Sequence, residues 1–392
     1  MVYYTEDLIH EINNSSEINF IAVAETYLHS IGINAYIRKK KAAGEELKGY
    51  ILIVAHRITG RGLSEFDFEI AGTEIKVIEY SNCYRKHESN SIVNVITSLK
   101  ESHQKTNCSV VNILWVIIDF QWYEIFSNID KNYQLCFNLI DDGDGSYINP
   151  FLNETYMYIY EHRESVAERL KGVFSIFLAC ALRKVIRHNL EKSERYNNYC
   201  IFLSEPKNQF VPNTQIVEYY SDAFKYRGTF VDGNIIEKCN NAVVINSQCL
   251  VENRITDGKI DYELYSQVVD FAKELELKIA IKPHPREQGI EKYENLKIDV
   301  IPAKISQEAL FANTRKKPKC VISIFSSTLL NAYGLFSIPV ISLAKIFVDR
   351  CESKVVKNQI DDYIKRYKSV ILFPESIEEL QLLLEEIKDE NN

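Results

Sequence analysis

A histidine held between two prolines and flanked by basic residues, Lys282-Pro283-His284-Pro285-Arg286, is the most chemically suggestive stretch of this chain. It closes the apolar run Leu277-Lys278-Ile279-Ala280-Ile281, which reads as a buried strand. Each proline fixes its own φ and keeps the residue before it extended, so the imidazole sits on a stiff loop. Three cationic or potentially cationic groups within five residues suit an anionic ligand, foremost a phosphate, better than a metal. A strand-ending turn with a surface histidine would carry the same letters, so the motif gains meaning only from its company.

Two further motifs supply that company. Asp141-Asp142-Gly143-Asp144-Gly145 directly follows the strand-like run Gln134–Ile140. Adjacent carboxylates before glycines form a tight loop with exposed acidic groups, although Asp-Gly is also an ordinary turn. The spacing lacks the terminal Glu and ligand set of a calcium loop. The third motif, Ile322-Ser323-Ile324-Phe325-Ser326-Ser327-Thr328-Leu329-Leu330, reads as strand, hydroxyl-rich turn and helix. Serines there cap the helix and, with its backbone N–H groups, make a seat for phosphate; the two roles are compatible. No G-x-S-x-G, P-loop, G-x-G-x-x-G or H-E-x-x-H pattern competes. A base in the first half with cations and hydroxyls in the second describes a sugar-nucleotide transferase.

The elements that must position these groups are legible in outline. Strand-like runs at Ile18–Ala24, Tyr50–Ala55, Ile75–Glu79, Val110–Ile117 and Gln134–Ile140 form one set. Ala242–Ile245, Leu277–Ile281, Lys297–Ile301, Cys320–Ile324, Pro339–Leu343 and Val370–Phe373 form a second. Amphipathic stretches such as Ser91–Gln104, Asp261–Leu275 and Ile377–Ile387 separate them, the pattern of parallel sheets covered on both faces. Glu164–Arg187 carries an apolar centre too short to span a bilayer, read as a buried helix. We expect an α/β protein with domains at 1–235 and 236–375, and a C-terminal helix over 376–392 that packs back on the first. All three motifs fall at carboxyl ends of strands, where such sheets bind ligands.

Composition narrows the class. The chain has 392 residues, 46% apolar and 26% charged, with net charge -8, which argues against nucleic acid as a partner. Arg38-Lys39-Lys40-Lys41 reads as a solvated loop or as a contact for an anionic lipid or acceptor. Nine scattered cysteines without C-x-x-C spacing suit reduced, mostly buried thiols in a cytoplasmic protein. No apolar run reaches membrane-spanning length, and the N-terminus lacks the regions of a signal peptide.

The ordered set Asp-Asp-Gly, Lys-Pro-His-Pro-Arg and Phe-Ser-Ser resembles bacterial sialyltransferases, in particular the lipooligosaccharide sialyltransferases and the capsule polysialyltransferases. Glu308-Ala309-Leu310-Phe311, Arg315-Lys316-Lys317-Pro318 and Val321–Leu330 keep the order of those families, and Asn246-Ser247-Gln248 resembles the turn that opens their second domain. The resemblance covers about 135–150 and 240–345. It implies a GT-B architecture, two Rossmann-like domains facing a cleft, and CMP-sialic acid as donor without a metal or other cofactor. Some lipooligosaccharide enzymes place a catalytic Asp in the turn that opens the second domain. Here Asn246-Ser247-Gln248-Cys249-Leu250-Val251-Glu252 has none near its start, which favours the polysialyltransferase-like arrangement.

On that resemblance, Asp141 or Asp142 is the general base, with Glu252 as the substitute. Protonated His284, with Pro285, Ser326, Ser327, Thr328 and Gln248, binds the donor and offsets charge on the departing CMP. Lys282 and Arg286 hold either the loop or the sialic acid carboxylate. The implied reaction is inverting transfer to a hydroxyl of a capsule, lipooligosaccharide or O-antigen glycan. Peripheral attachment to the inner membrane and a homodimer are both compatible with it. The alternatives are another donor such as CMP-Kdo, a UDP-sugar or a CDP-polyol, an epimerase, or a non-catalytic sugar-nucleotide-binding partner in capsule assembly.

Overall fold

A computed structural model describes residues 2–3, 5–15, 17–24, 27–54, 68–80, 109–115, 133–139, 165–174, 176–177, 181, 196–198, 220, 222–223, 231–252, 255–256, 258–351 and 354–389. Asp141, Asp142 and the helix expected over Ser91–Gln104 lie outside these residues. The chain divides into two compact units, Met1–Tyr220 and Ser221–Asn392, ahead of the boundary expected after residue 235.

The first unit runs β1 (Val2–Tyr3), α1 (Thr5–Asn13), β2 (Phe20–Ala24), α2 (Tyr27–Ala42), β3 (Lys48–Val54), β4 (Glu74–Tyr80), β5 (Ser109–Trp115), β6 (Tyr133–Leu139) and β7 (Tyr196–Asn198). Its sheet has the order β1-β4-β3-β2-β5-β6-β7. Every pairing is parallel. Central β2 is buried along its whole length, as a strand covered on both faces must be. At Gly49 in β3 the backbone approaches β2 so closely that a Cβ would lie 1.8 Å from the Phe20 carbonyl oxygen.

Two sequence expectations for this unit are corrected. Arg38-Lys39-Lys40-Lys41 is not a loop but the end of α2. Arg38 pairs with Glu69 at 2.7 Å and Lys40 with Glu45 at 2.7 Å. Lys41 Nζ donates to the carbonyls of Glu69 and Ala71 at 2.9 and 2.6 Å. The run is thus tied to its own unit, near the negative end of its own helix. Of the buried helix expected over Glu164–Arg187, residues 166–174 are described as helical, and this part is not a buried helix. Val166, Leu170 and Phe174 recur at a four-residue spacing on one face, and each is more than 60% exposed.

The second unit contains α3 (Gly233–Cys239), β8 (Val243–Asn246), α4 (Lys259–Glu274), β9 (Ile279–Lys282), β10 (Asp299–Val300), α5 (Gln307–Asn313) and β11 (Cys320–Ser323). It continues through α6 (Ser327–Phe336), β12 (Val340–Ser342), α7 (Ala344–Arg350), α8 (Lys354–Tyr367) and α9 (Ile377–Asp389). A 3-10 helix spans Ile290–Leu296. The sheet order β10-β9-β8-β11-β12, again all parallel, is that of a Rossmann-like unit. Chain order reverses between β8 and β11. Each of β8, β9 and β11 is buried at all four residues.

Strand β10 is shorter than the expected Lys297–Ile301, because Lys297 closes the 3-10 helix with φ 50° and cannot extend. Val370–Phe373 makes only the single bridge Ile341↔Leu372, and Pro374 then removes the next donor. The closing helix α9 groups with this second unit and packs on α4. Cys239, Cys249, Cys320 and Cys351 are buried free thiols, and burial pushes Cys239 and Cys320 up to about 12. Among the described residues, no helix is long and apolar enough to cross a membrane.

Replacing Gly49 with Ala is expected to destabilise the first unit by more than about 3 kcal/mol, since backbone on both sides would have to move. Chemical denaturation followed by circular dichroism reads this, and a change below about 1 kcal/mol would contradict the close approach of β2 and β3.

Candidate active site

The His-Pro and Ser-Ser elements both emerge at the carboxyl edge of the second sheet, from β9 and β11, the two neighbours of β8. The turn leaving β8 joins them. Ser247 N donates to the Lys282 carbonyl at 3.1 Å, and Ser247 Oγ accepts from His284 N at 3.1 Å. On the other side, Phe325 N donates to Gln248 Oε1 at 2.9 Å, while Gln248 Nε2 donates back to the Phe325 carbonyl. Asn246, 3% exposed, donates to Gln307 Oε1 and, at 3.1 Å, to Thr328 Oγ1. Ser323 Oγ donates to the Asn246 carbonyl at 2.8 Å, beneath the turn. Three residues of one turn therefore hold both motifs at the switch point of the sheet, the place where such sheets bind nucleotides.

His284 is half-buried, and its ring is oriented locally. Nδ1 accepts from the Arg286 backbone N at 3.1 Å, so in the neutral ring the proton resides on Nε2. Burial, with Arg286 and Lys282 as like charges, lowers its pKa to about 4. This corrects the expectation of a protonated imidazole: near neutral pH the free protein offers a neutral Nε2–H donor.

Lys282 is not at the surface of the site. It is 7% exposed, and its ammonium donates to the carbonyls of Pro283 and Ala303 at 3.3 and 3.5 Å. Burial lowers its pKa. Of the two roles open to it, the geometry supports holding the loop. Arg286 and Pro285 are exposed, with one Arg286 nitrogen 3.5 Å from Cys249 Sγ.

The Ser-Ser element divides its labour. Ser326 caps α6, its Oγ accepting from Thr328 N at 3.3 Å and lying 2.8 Å from Thr328 Oγ1. Its carbonyl accepts from Tyr363 OH at 3.2 Å. Ser327 is the first residue of the helix, partly exposed, and its hydroxyl makes no hydrogen bond within the described structure. A free hydroxyl at the positive end of a ten-residue helix is well suited to an anionic group. Among the expected donor contacts, then, His284 Nε2, Arg286 and Ser327 keep free groups, while Lys282, Gln248, Ser326 and Thr328 are engaged in bracing.

Sequence reasoning missed Glu287, whose side chain is 2% exposed directly under the His-Pro loop. Its signal was adjacency: an acidic residue immediately after Arg286, with Lys292 and Tyr293 following. Glu252, the substitute base, accepts from Gln288 N at 2.6 Å and so also ties down this loop. A separate pocket of about 500 Å³ lined by Lys278, Arg315, Lys316 and Lys319 lies at the opposite, amino ends of the strands. Two of its lysines sit on helix-end carbonyls, Lys278 on Glu237 and Lys319 on Lys388, which accounts for their placement there.

Comparison with known proteins gives the chain its family. No curated protein sequence matches it. Similar solved structures include the α/β-galactoside α-2,3-sialyltransferase of Photobacterium phosphoreum, 14% identical, with TM-score 0.46 over 91% of this chain and 98% of that one. A UGT transferase of Siraitia grosvenorii in complex with UDP is 10% identical, with TM-score 0.47 over 95% and 93%. A UDP-GlcNAc 2-epimerase of Neisseria meningitidis is 14% identical, with TM-score 0.40 over 94% and 99%. These likenesses are distant. The family model is decisive: residues 20–345, most of the chain, match alpha-2,8-polysialyltransferase (POLYST), and the chain belongs to that family of sialic-acid-transferring glycosyltransferases.

Proposed function

We propose that this protein moves sialic acid from CMP-sialic acid to a hydroxyl of a cell-surface glycan, with inversion and without a metal. The observation that carries this reading is the β8 turn, which fixes His284 and the amino end of α6 on either side of one sheet crevice. The sequence resemblance assigns the acceptor side of the reaction to the first unit. Peripheral membrane attachment is compatible with this reading but is not needed for it.

The acceptor hydroxyl loses its proton to Asp141, or to Asp142, as its oxygen forms the new bond to the anomeric carbon. The bond from that carbon to the phosphate oxygen breaks, and its electron pair leaves with CMP. His284 Nε2–H, the Ser327 hydroxyl and the α6 amino end stabilise the developing charge by hydrogen bonds already aimed before reaction. Arg286, exposed beside them, supplies a forked cation for the sialic acid carboxylate or the phosphate.

The direct test is mass spectrometry of products formed from CMP-sialic acid and a glycan acceptor library in excess EDTA, beside CMP-Kdo and UDP-sugars. Sialylated product from CMP-sialic acid is expected. In the same assay His284→Gln is expected to lose about 100-fold in kcat while remaining folded. Product only from another donor, dependence on added magnesium, or an unimpaired His284→Gln would each overturn part of the reading.

Asp141→Asn is expected to abolish transfer yet leave CMP binding by calorimetry unchanged, because the amide keeps the shape but accepts no proton. If Asp142→Asn is the inactive variant instead, the base is Asp142.

The depressed pKa of His284 also has a stability consequence. Between the unfolded value of about 6.5 and the folded value of about 4, the unfolded chain binds a proton that the folded chain refuses. His284 therefore destabilises the fold progressively as pH falls from 6.5 to 4, and no further below. Relative to wild type, His284→Gln is expected to become more stable across that window. Parallel pH profiles of the two proteins in urea denaturation would contradict the burial of this ring.

A further inference from the structure

We propose that Glu287 is a positioning residue of this site, its buried carboxylate locking the His284 loop to the β8 turn so that the imidazole keeps one orientation. The inference rests on the proposed role of His284 and extends it to a residue that touches no substrate.

The geometry is that of a carboxylate with every direction filled. Oε2 accepts from Ser247 Oγ and, at 3.4 Å, from His284 N. Oε1 accepts from Tyr293 OH at 2.5 Å and from Lys292 Nζ at 3.0 Å. Glu287 N closes the loop on the His284 carbonyl at 3.0 Å. A carboxylate this deeply buried persists only when paired and hydrogen-bonded, and here the partners come from three segments: the β8 turn, the His-Pro loop and the 3-10 helix.

The arrangement is more than a local prop. Ser247 Oγ receives the His284 N–H while directing its own hydrogen to Glu287, so the hydroxyl is oriented as an acceptor towards the loop only while the carboxylate is present. Glu287 is also one of two negative charges opposing Arg286 and Lys282 at the imidazole, the other being Glu252. Removing it would free the Ser247 rotor, weaken the hold on His284 N and leave two cations beside the ring. Groups that orient a working imidazole from behind typically matter 10- to 100-fold.

Because Glu287 acts through His284, its effect must disappear when His284 is gone. We would measure CMP-sialic acid turnover in wild type, Glu287→Gln, His284→Gln and the double variant. In the wild-type background Glu287→Gln is expected to lower kcat about 10- to 100-fold with KM for CMP-sialic acid within about 3-fold. In the His284→Gln background the same change is expected to alter kcat by less than about 2-fold. Equal losses in both backgrounds would make Glu287 a general structural support and overturn the inference, as would no loss in either. Should Glu287→Gln fail to fold, Tyr293→Phe, which withdraws one donor and leaves the charge, is read in the same two backgrounds for a smaller loss with the same disappearance. Imidazole ¹⁵N shifts provide a second readout, expected to show one neutral tautomer in wild type and an averaged pair in Glu287→Gln. An impaired His284→Gln beside an unimpaired Glu287→Gln removes this inference alone. An unimpaired His284→Gln removes the functional reading and this inference with it.

Discussion

The exit of β8 is the constraint on which the second unit depends. A central parallel strand is buried on both faces, so the polar backbone leaving it must find partners before it reaches water. Ser247 N donates to the Lys282 carbonyl, and the Asn246 carbonyl accepts from Ser323 Oγ. The side chains of Asn246, Ser247 and Gln248 bond to α6 and to the loops that leave β9 and β11. The same bonds that satisfy a buried chain end also fix the spacing of two ligand-facing elements. Stability and site geometry are therefore one set of interactions here, and a change in the turn moves both.

Charge balance around His284 follows from the same packing. Lys282 and Arg286 act on the ring as like charges, with Glu287 and Glu252 opposing them. Burial and the cations prevail, so the free protein holds a neutral ring. A neutral Nε2–H is a directional donor with little competing attraction for chloride or carboxylate ions. Its proton affinity rises only when an anion arrives beside it. Under the proposed reaction, that places the strongest electrostatic response at the moment charge accumulates on the leaving phosphate.

Much of this was legible in the sequence, for reasons that differ by element. Apolar runs four to eight residues long located the strands of both sheets except the short edge strands β1 and β7, because parallel strands buried on two faces leave little room for polar residues. The two second-domain motifs were legible because proline stiffness and serine capping are local properties. Strand ends were less so: Lys297 in the left-handed region and Pro374 cut two expected strands short. The basic run at Arg38 looked like a surface motif because its partners, Glu69 and the carbonyl of Ala71, lie some thirty residues away.

The distinction between bracing and binding was the part that sequence could not supply. Gln248, Thr328 and Ser327 are all small or medium polar residues at strand and helix ends, and composition treats them alike. Their roles separate only when each hydroxyl or amide is followed to its partner. Gln248 faces Phe325, Thr328 faces Asn246, and Ser327 faces no described group. Glu287 was hidden for the opposite reason. A lone acidic residue after two basic ones reads as surface charge, yet the chain returns Tyr293 and Lys292 beneath it and brings Ser247 across from β8. Only tertiary structure turns that carboxylate from a solvated charge into the joint that ties three segments together.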